Sequence, residues 1–443
     1  MPDPNSRRAA GLAFPWGLRI GQARTTVRLT ESAIDCRRSG SRADVTAHRG
    51  TALPQARSAT PDPGSQGRSG PDRALSAVSA GGIDAAAAGA VLTVDLGALT
   101  ANYRLLRDMA GGECGAVVKA DAYGIGMGPV AAALHAEGCR HFFVGHLSEG
   151  VALRAALPDA AIYVLNGVPP GAECDAAAAG LIPALNSPEQ IAAWKTTARS
   201  LGRRLPGALQ FDTGMTRLGL SPAAVEAVAA DGETLDGIDL RLALSHLACA
   251  DEPQHPANAA QAALFARLAA RFPGVPRSLA NSSGIFLGAA FRSDVARAGA
   301  ALYGINPTPR AGNPMRAVVG VRAKVIQTAD CAAGVGIGYG HDFHAHRPMR
   351  LATISLGYAD GWPRRARGAA FHRGVRLPFV GRVSMDSIVL DVSALPAGTL
   401  HPGDLVEVIG DDQTVDDVAA LAGTIGYEIL TGLGNRFHRR WIG

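Results

Sequence analysis

The sequence predicts an α/β chain, a closed (β/α)8 barrel followed by a mostly-β C-terminal domain, with a long N-terminal extension outside both. Three observations lead there. Short apolar runs alternate with helix-period stretches from about residue 90 to residue 315, the pattern of a parallel sheet wrapped by helices. Seven or eight such units favour closure into a barrel over an open doubly wound sheet. After about residue 315 the rhythm changes to β-rich runs broken by Gly and Pro.

Residues 1–88 have no sustained period of 2 or 3.6 and are dense in Arg, Ser, Ala, Gly and Pro, as in "TPDPGSQGRSGPDR" (60–73). They are expected to be disordered. Their composition is compatible with an Arg-rich targeting peptide and equally with an upstream start codon. The barrel is expected over 89–317. It opens with "VLTVDL" (91–96) and the helical "ALTANYRLLRDMA" (98–110). Further strands are expected at "GAVVKA" (115–120), "HFFVG" (141–145), "AIYVLNG" (161–167), "LIPALN" (181–186), "GALQFD" (207–212), "LRLALSH" (240–246) and "RSLAN" (277–281). Among the helices between them, "SPEQIAAWKTTARSLG" (187–202) begins with a Ser cap and Pro at the first helical position. The β domain is expected over 318–443, with one helix-period segment, "TVDDVAALAGTIGYEIL" (414–430).

Composition narrows the function. With 443 residues, 47% of them hydrophobic and 18% charged, the chain is neither disordered throughout nor a small disulfide scaffold. Its six cysteines are scattered, without C-x-x-C or metal-ligand spacing, which suits a reducing, cytoplasmic setting and no bound metal. The net charge of +5 lies wholly in residues 1–88, where twelve Arg face seven acids. The rest is balanced, so no basic groove for nucleic acid is expected. No run approaches 18 strongly apolar residues, so no membrane span is expected either. Of 43 basic residues only Lys119, Lys195 and Lys324 are lysines. Any chemistry that needs an amine has three candidates.

Lys119 follows four small or apolar residues in "AVVKADAYGIG" (116–126) and precedes small and Gly residues. In a parallel barrel this is the C-terminal end of a strand, where such barrels place active sites. Position alone leaves two readings open: a rim charge, or an amine with a depressed pKa suited to Schiff-base formation. Lys195, on a helix, and Lys324, in a β run, read as surface charges.

"VVKADAYGIG", "DTGMTRLGL" (212–220), "SHLACADEP" (245–253), "ANSSG" (280–284), "RAGAALYG" (297–304), "GYGHDF" (338–343), "GYADGWPR" (357–364) and "GRVSMDS" (381–387) together resemble the alanine racemases. That family pairs a pyridoxal-phosphate-binding barrel with a β domain, and the likeness covers about 91–443. It implies a homodimeric enzyme that interconverts L- and D-alanine and supplies D-alanine for peptidoglycan. Two alternatives stand beside it: a racemase of broader range that also takes serine, and a non-catalytic pyridoxal-phosphate-binding protein. The second is disfavoured because such single-barrel proteins lack the β domain.

The resemblance also implies roles. Lys119 carries the cofactor. Tyr123, Ser282 beside Asn281, and the amides of Gly299 and Ala300 hold its phosphate. Arg297 sits against the ring nitrogen; it does not readily give up a proton, so the cofactor is a weaker electron sink, which disfavours decarboxylation and transamination. His246 lies near the ring. Removing a proton from one face of Cα and returning it on the other needs two groups, and these are Lys119 and Tyr339, the latter reaching across a dimer interface. Read without the resemblance, Tyr339 is a hairpin aromatic between glycines. Tyr358 walls the access channel, and Arg217 and the Met385 amide meet the substrate carboxylate or the cofactor phenolic oxygen. Asp386 supports its loop. Two positions depart from the family. Gln210 stands where relatives often carry a carbamylated lysine, so Arg217 must be held by the amide or by an anion. Asn435 stands where some carry a tyrosine.

Overall fold

The computed structural model describes residues 84–309 and 311–443. Of residues 1–88, expected to be disordered, 1–83 lie outside the described residues, whereas 84–88 form a turn, with Ala87 and Ala88 N–H donating to Asp84 O at 3.0 and 2.9 Å and Ala88 buried. Eight parallel strands form the barrel. Its order is set by neighbours in sequence, from β2 (Glu113–Val117) through β3 (His141–Val144), β4 (Ala161–Val164), β5 (Ile182–Leu185), β6 (Leu205–Gln210) and β7 (Ile238–Leu244) to β8 (Arg277–Ser278). The last strand, β9 (Val295–Ala298), pairs with β2. Closure between β8 and β9 comes from Arg297 N–H donating to Ala280 O at 2.9 Å and Ser278 Oγ donating to Val295 O at 2.6 Å.

The first strand differs from expectation. β1 (Ala90–Asp95) does not enter the barrel. It pairs antiparallel with β10 (Val319–Cys331) and parallel with the final strand, His438–Ile442, so the β domain borrows its strand from the start of the described chain. The physical reason is visible in its burial. β1 alternates buried and half-buried residues, as a strand with one core face does, whereas β3, β4 and β5 are buried along almost their whole length. β9 takes the vacated place in the barrel.

The Asp95 carboxylate accepts from Ala98 N–H at 2.8 Å and caps the helix Leu96–Ala110, which leads from β1 to the barrel. In the β domain, β10 pairs with β1 and Leu405–Ile409 along one half and with Met349–Ile354 along the other, across two irregularities in register. The sheet therefore curls back on itself. The segment 414–430, expected as one helix, is two: Val415–Ala422 and Gly426–Gly432. Gly423 (φ +67°) ends the first in the left-handed conformation. Buried residues of barrel and β domain form one continuous core that includes Leu92, Val118, Phe142, Leu302, Val321 and Leu430. Among the described residues no helix is long and apolar enough to cross a membrane.

Lys324, expected as a surface charge, clasps the start of the described chain. Its Nζ donates to Ala85 O (2.6 Å) and Ala86 O (2.7 Å), and Asp84 accepts from Ala86 N–H at 2.6 Å. A chain shortened to begin at Asp84 keeps all these anchors. It is expected to melt within a degree or so of the full-length protein by calorimetry, because termini contribute little unless they dock. A fall of several degrees would show that residues 1–83 pack on the enzyme.

Candidate active site

The mouth of the barrel collects the candidates from five strand ends. Lys119 lies two residues past β2. After it the chain turns left-handed: Ala120, Asp121, Ala122 and Tyr123 have φ of 53°, 54°, 53° and 56°. Non-glycine residues there cost about 1–2 kcal/mol each, so the turn must be held from outside. Glu149 Oε1 accepts from Ala120 N–H at 2.6 Å. Asp121 caps the following helix by accepting from Met127 N–H at 2.7 Å. From the final strand, Arg439 Nη1 donates to Gly124 O at 2.6 Å and Trp441 Nε1 to Ile125 O at 3.1 Å. The turn points Tyr123 inward, buried against Tyr303 and Tyr427 with ring centroids 4.8 and 5.9 Å away.

Opposite, Ser282 Oγ accepts from Gly299 N–H at 2.9 Å and Ala301 N–H at 3.2 Å. Ala300 lies between them and opens the 3-10 turn Ala300–Tyr303. A Cβ on residue 299 would stand 2.8 Å from the Tyr123 hydroxyl, so only glycine leaves this cradle open. Asn281 caps the short helix Ser282–Phe286, accepting from Gly284 N–H at 2.9 Å, and its Nδ2 lies 3.5 Å from His246 Nε2.

Arg297 is buried at the centre. Nη1 donates to Ser278 O (2.9 Å) and Ser278 Oγ (2.6 Å), and Nη2 to Ser245 O (2.5 Å) and His246 Nδ1 (3.3 Å). These bonds engage both terminal nitrogens and leave Nε–H as the donor for a ligand. Burial pulls the Arg297 guanidinium down to about 10, which leaves it charged at neutral pH. Burial first, then the charges of Arg297, Arg217 and Lys119, press His246 down to about 3. The imidazole is therefore neutral, and Nδ1 accepts. Burial also lowers Lys119, with Arg217 and Arg297 acting in the same direction and Glu149 against them. This is the depressed amine that strand-end position alone left open.

The loop "DTGMTR" owes its form to Asp212, whose Oδ1 accepts from the backbone N–H of Gly214, Met215 and Thr216 at 2.9, 3.1 and 3.0 Å. It carries Arg217 exposed at the mouth. Gln210 is buried beneath and donates to Leu218 O at 3.3 Å. The amide thus holds the loop that carries Arg217, and of the two expected holders of the guanidinium, the amide or an anion, the amide makes its bond to the neighbouring backbone.

Three candidates stand apart on the β domain. Tyr339 is 67% exposed, Met385 53% and Tyr358 41%. Tyr339 opens a turn between Gly338 (φ +72°) and Gly340 (φ +69°) and lines a surface depression with Ser384. The Tyr358 N–H donates to Ser384 O at 3.1 Å, which joins the Tyr358 and Met385 loops. Arg436 staples both, donating to Asp360 Oδ1 (2.7 Å) and Oδ2 (2.8 Å) and to Asp386 Oδ1 (2.6 Å). Asn435 beside it is exposed. Sequence reasoning missed Glu149, Arg439 and Trp441. The one signal for Glu149 is its place at the third position of the helix Leu147–Ala156, where a capping glutamate is common.

Residues 94–307 match the family model for the alanine racemase N-terminal domain and 318–441 that for the C-terminal domain. The chain belongs to the alanine racemase family. It is 60% identical over 365 residues to the catabolic alanine racemase of Mesorhizobium japonicum, covering 82% of this chain and 95% of that one. Among solved structures it is similar to alanine racemase from Bartonella henselae with covalently bound pyridoxal phosphate (TM-score 0.77, 42% identity, 80% of this chain and 100% of that one). The biosynthetic alanine racemase from Pseudomonas aeruginosa is also similar (TM-score 0.75, 36% identity, 80% and 100%).

Proposed function

We propose that this chain interconverts L- and D-alanine with pyridoxal phosphate held at the barrel mouth, Lys119 serving one face of the substrate and Tyr339 of a second copy the other. The donor set fits the cofactor. A partly buried amine of lowered pKa stands at a strand end. The Tyr123 hydroxyl and the Ser282 hydroxyl flank the Gly299–Ala300 backbone, at a cradle that a Cβ at residue 299 would fill. Hydroxyl groups beside a backbone turn at a barrel's C-terminal face suit a phosphate dianion.

Each residue then has one task. Lys119 holds the cofactor and moves a proton at one face of Cα. Arg297 offers Nε–H to the ring nitrogen and keeps it unprotonated. Arg217 and the Met385 amide orient the substrate carboxylate. Tyr123 and Ser282 anchor the phosphate. Bound there, the cofactor supplies an electron sink that acidifies the substrate Cα–H. Tyr339, Tyr358 and Met385 are large side chains left exposed on loops of the β domain, and exposed apolar groups of this kind suit a surface that a partner covers. Their placement on the β domain supports a homodimer in which each chain completes its partner's site.

Racemisation has no preferred direction, since the enantiomers are isoenergetic. The same site suits supply of D-alanine to the cell wall and its breakdown, and the relatives include both catabolic and biosynthetic enzymes. The single observation that carries the reading is the Lys119–Tyr123–Gly299 cradle facing a buried Arg297. Purified enzyme given L-alanine is expected to form D-alanine until the two are equal, measured by chiral chromatography. A sample that binds pyridoxal phosphate yet yields no D-alanine would contradict it.

Arg297 gives a further prediction. Arg297→Glu sets an acid against the Ser245 and Ser278 carbonyls and lets the ring nitrogen hold a proton. It is expected to lower the melting temperature and to raise pyruvate formation by transamination relative to racemisation. An unchanged ratio of pyruvate to D-alanine in folded protein would mean that Arg297 does not touch the ring.

A further inference from the structure

The segment that carries Lys119 cannot hold its own shape, since four left-handed non-glycine residues follow the lysine directly. One side chain from another element grips it at the front. Glu149 takes Ala120 N–H on Oε1 at 2.6 Å, and Gly145 N–H and His146 N–H on Oε2 at 2.8 and 3.0 Å. The bond to His146 is an ordinary capping-box contact. The bond to Ala120 is not, because it reaches 29 residues back to the peptide of the lysine. A Cβ on Gly145 would stand 3.4 Å from Glu149 Oε2 and 3.7 Å from Lys119 Cβ, so carboxylate and lysine stem flank one glycine. The charges acting on Lys119 are the guanidiniums of Arg217 and Arg297 and, with opposite sign, Glu149; His246 nearby is neutral.

We propose that Glu149 is a positioning residue for Lys119: its carboxylate fixes the Lys119–Ala120 peptide against the end of β3 and sets a negative charge near the lysine stem. The inference rests on Lys119 being the amine that carries the cofactor. Between two guanidiniums and dry walls, an amine gives up its proton readily and takes one back poorly. Glu149 opposes this. It lets Lys119 alternate between holding and releasing a proton, as a racemase base must. Removing the carboxylate removes the one influence that raises Lys119, so its titration moves to lower pH.

Full-length enzyme stripped of cofactor with hydroxylamine can be recombined with pyridoxal phosphate across a pH series, following the absorbance that the lysine-bound cofactor acquires. Attack needs the neutral amine, so the midpoint of the rate reports Lys119. In Glu149→Gln the midpoint is expected to fall to lower pH, and the limiting rate at high pH to drop several-fold. Glu149→Asp keeps the charge on a shorter stem. Its midpoint is expected near that of the wild type, with slower recombination. A midpoint and rate unchanged in Glu149→Gln, with only the melting temperature lowered, would make Glu149 a helix cap and overturn the proposal. Should Glu149→Gln not fold, Glu149→Asp decides: slowed recombination supports the proposal and a wild-type rate overturns it. The underlying reading fails differently, by the wild type gaining no such absorbance or by Lys119→Ala gaining it.

Discussion

Lys119→Ala is expected to abolish both racemisation and the near-visible absorbance of the lysine-bound cofactor. Only three amines exist in the chain outside the N-terminus, and the other two are committed elsewhere. Lys195 donates to the Glu233 carbonyl, and Lys324 to those of Ala85 and Ala86. Lys119 alone of the three stands at a barrel strand end, where burial and two arginines lower its pKa. Loss of a positioned acid–base group alone costs ~10²–10⁴-fold, and here the cofactor's attachment goes with it. Activity should therefore fall below detection, while Lys195→Ala and Lys324→Ala stay near wild type. A retained band in Lys119→Ala, read in an ordinary absorbance spectrum, would remove the assignment.

Tyr339→Phe is the second large effect. Its exposed side chain on the β domain makes no core contact, so the substitution is expected to leave folding and cofactor absorbance intact. Racemisation should drop by ~10²–10⁴-fold. The loss is one-sided at the level of the proton. Exchange of the Cα hydrogen with deuterated water should persist from the enantiomer served by Lys119 and fail from L-alanine, the one served by Tyr339. Net conversion cannot stay one-way, because both directions share one equilibrium, so isotope exchange is the proper readout. Equal, near wild-type exchange from both enantiomers would refute the two-face mechanism.

How much of this was legible in the sequence depended on how local the physics is. The barrel was readable because its strands are short and buried throughout, and its helices carry their own caps, as Ser187 does for Pro188–Leu201. β1 was misplaced because order along the chain is a poor guide to pairing: its partners lie more than 200 residues away, at β10 and the last strand. Its alternating "VLTVD" was the available clue to a half-covered sheet. β9 was hidden by Arg297, a charge that reads as solvent-facing until Ser245, Ser278 and His246 are seen to surround it. Tyr123, Ser282 and Gly299 sit in compact motifs legible in the sequence, and the structure brings the three together. Glu149, Arg439 and Trp441 act on the lysine turn from 29, 315 and 316 residues away in sequence, and nothing near Lys119 announces them. At Gln210 the position was legible from its motif, but the partner of its amide, the Leu218 carbonyl eight residues on, was not.

The most direct measurement mixes two inactive variants. If each site takes Lys119 from one chain and Tyr339 from another, Lys119→Ala and Tyr339→Phe are defective in different halves of the same site. Unfolded together and refolded, or co-expressed, they form mixed dimers in which one site has both groups intact. Random pairing then predicts recovery of about a quarter of wild-type D-alanine formation, from two proteins that show almost none apart. A mixture that forms dimers yet stays as inactive as its components would contradict a site shared between two chains.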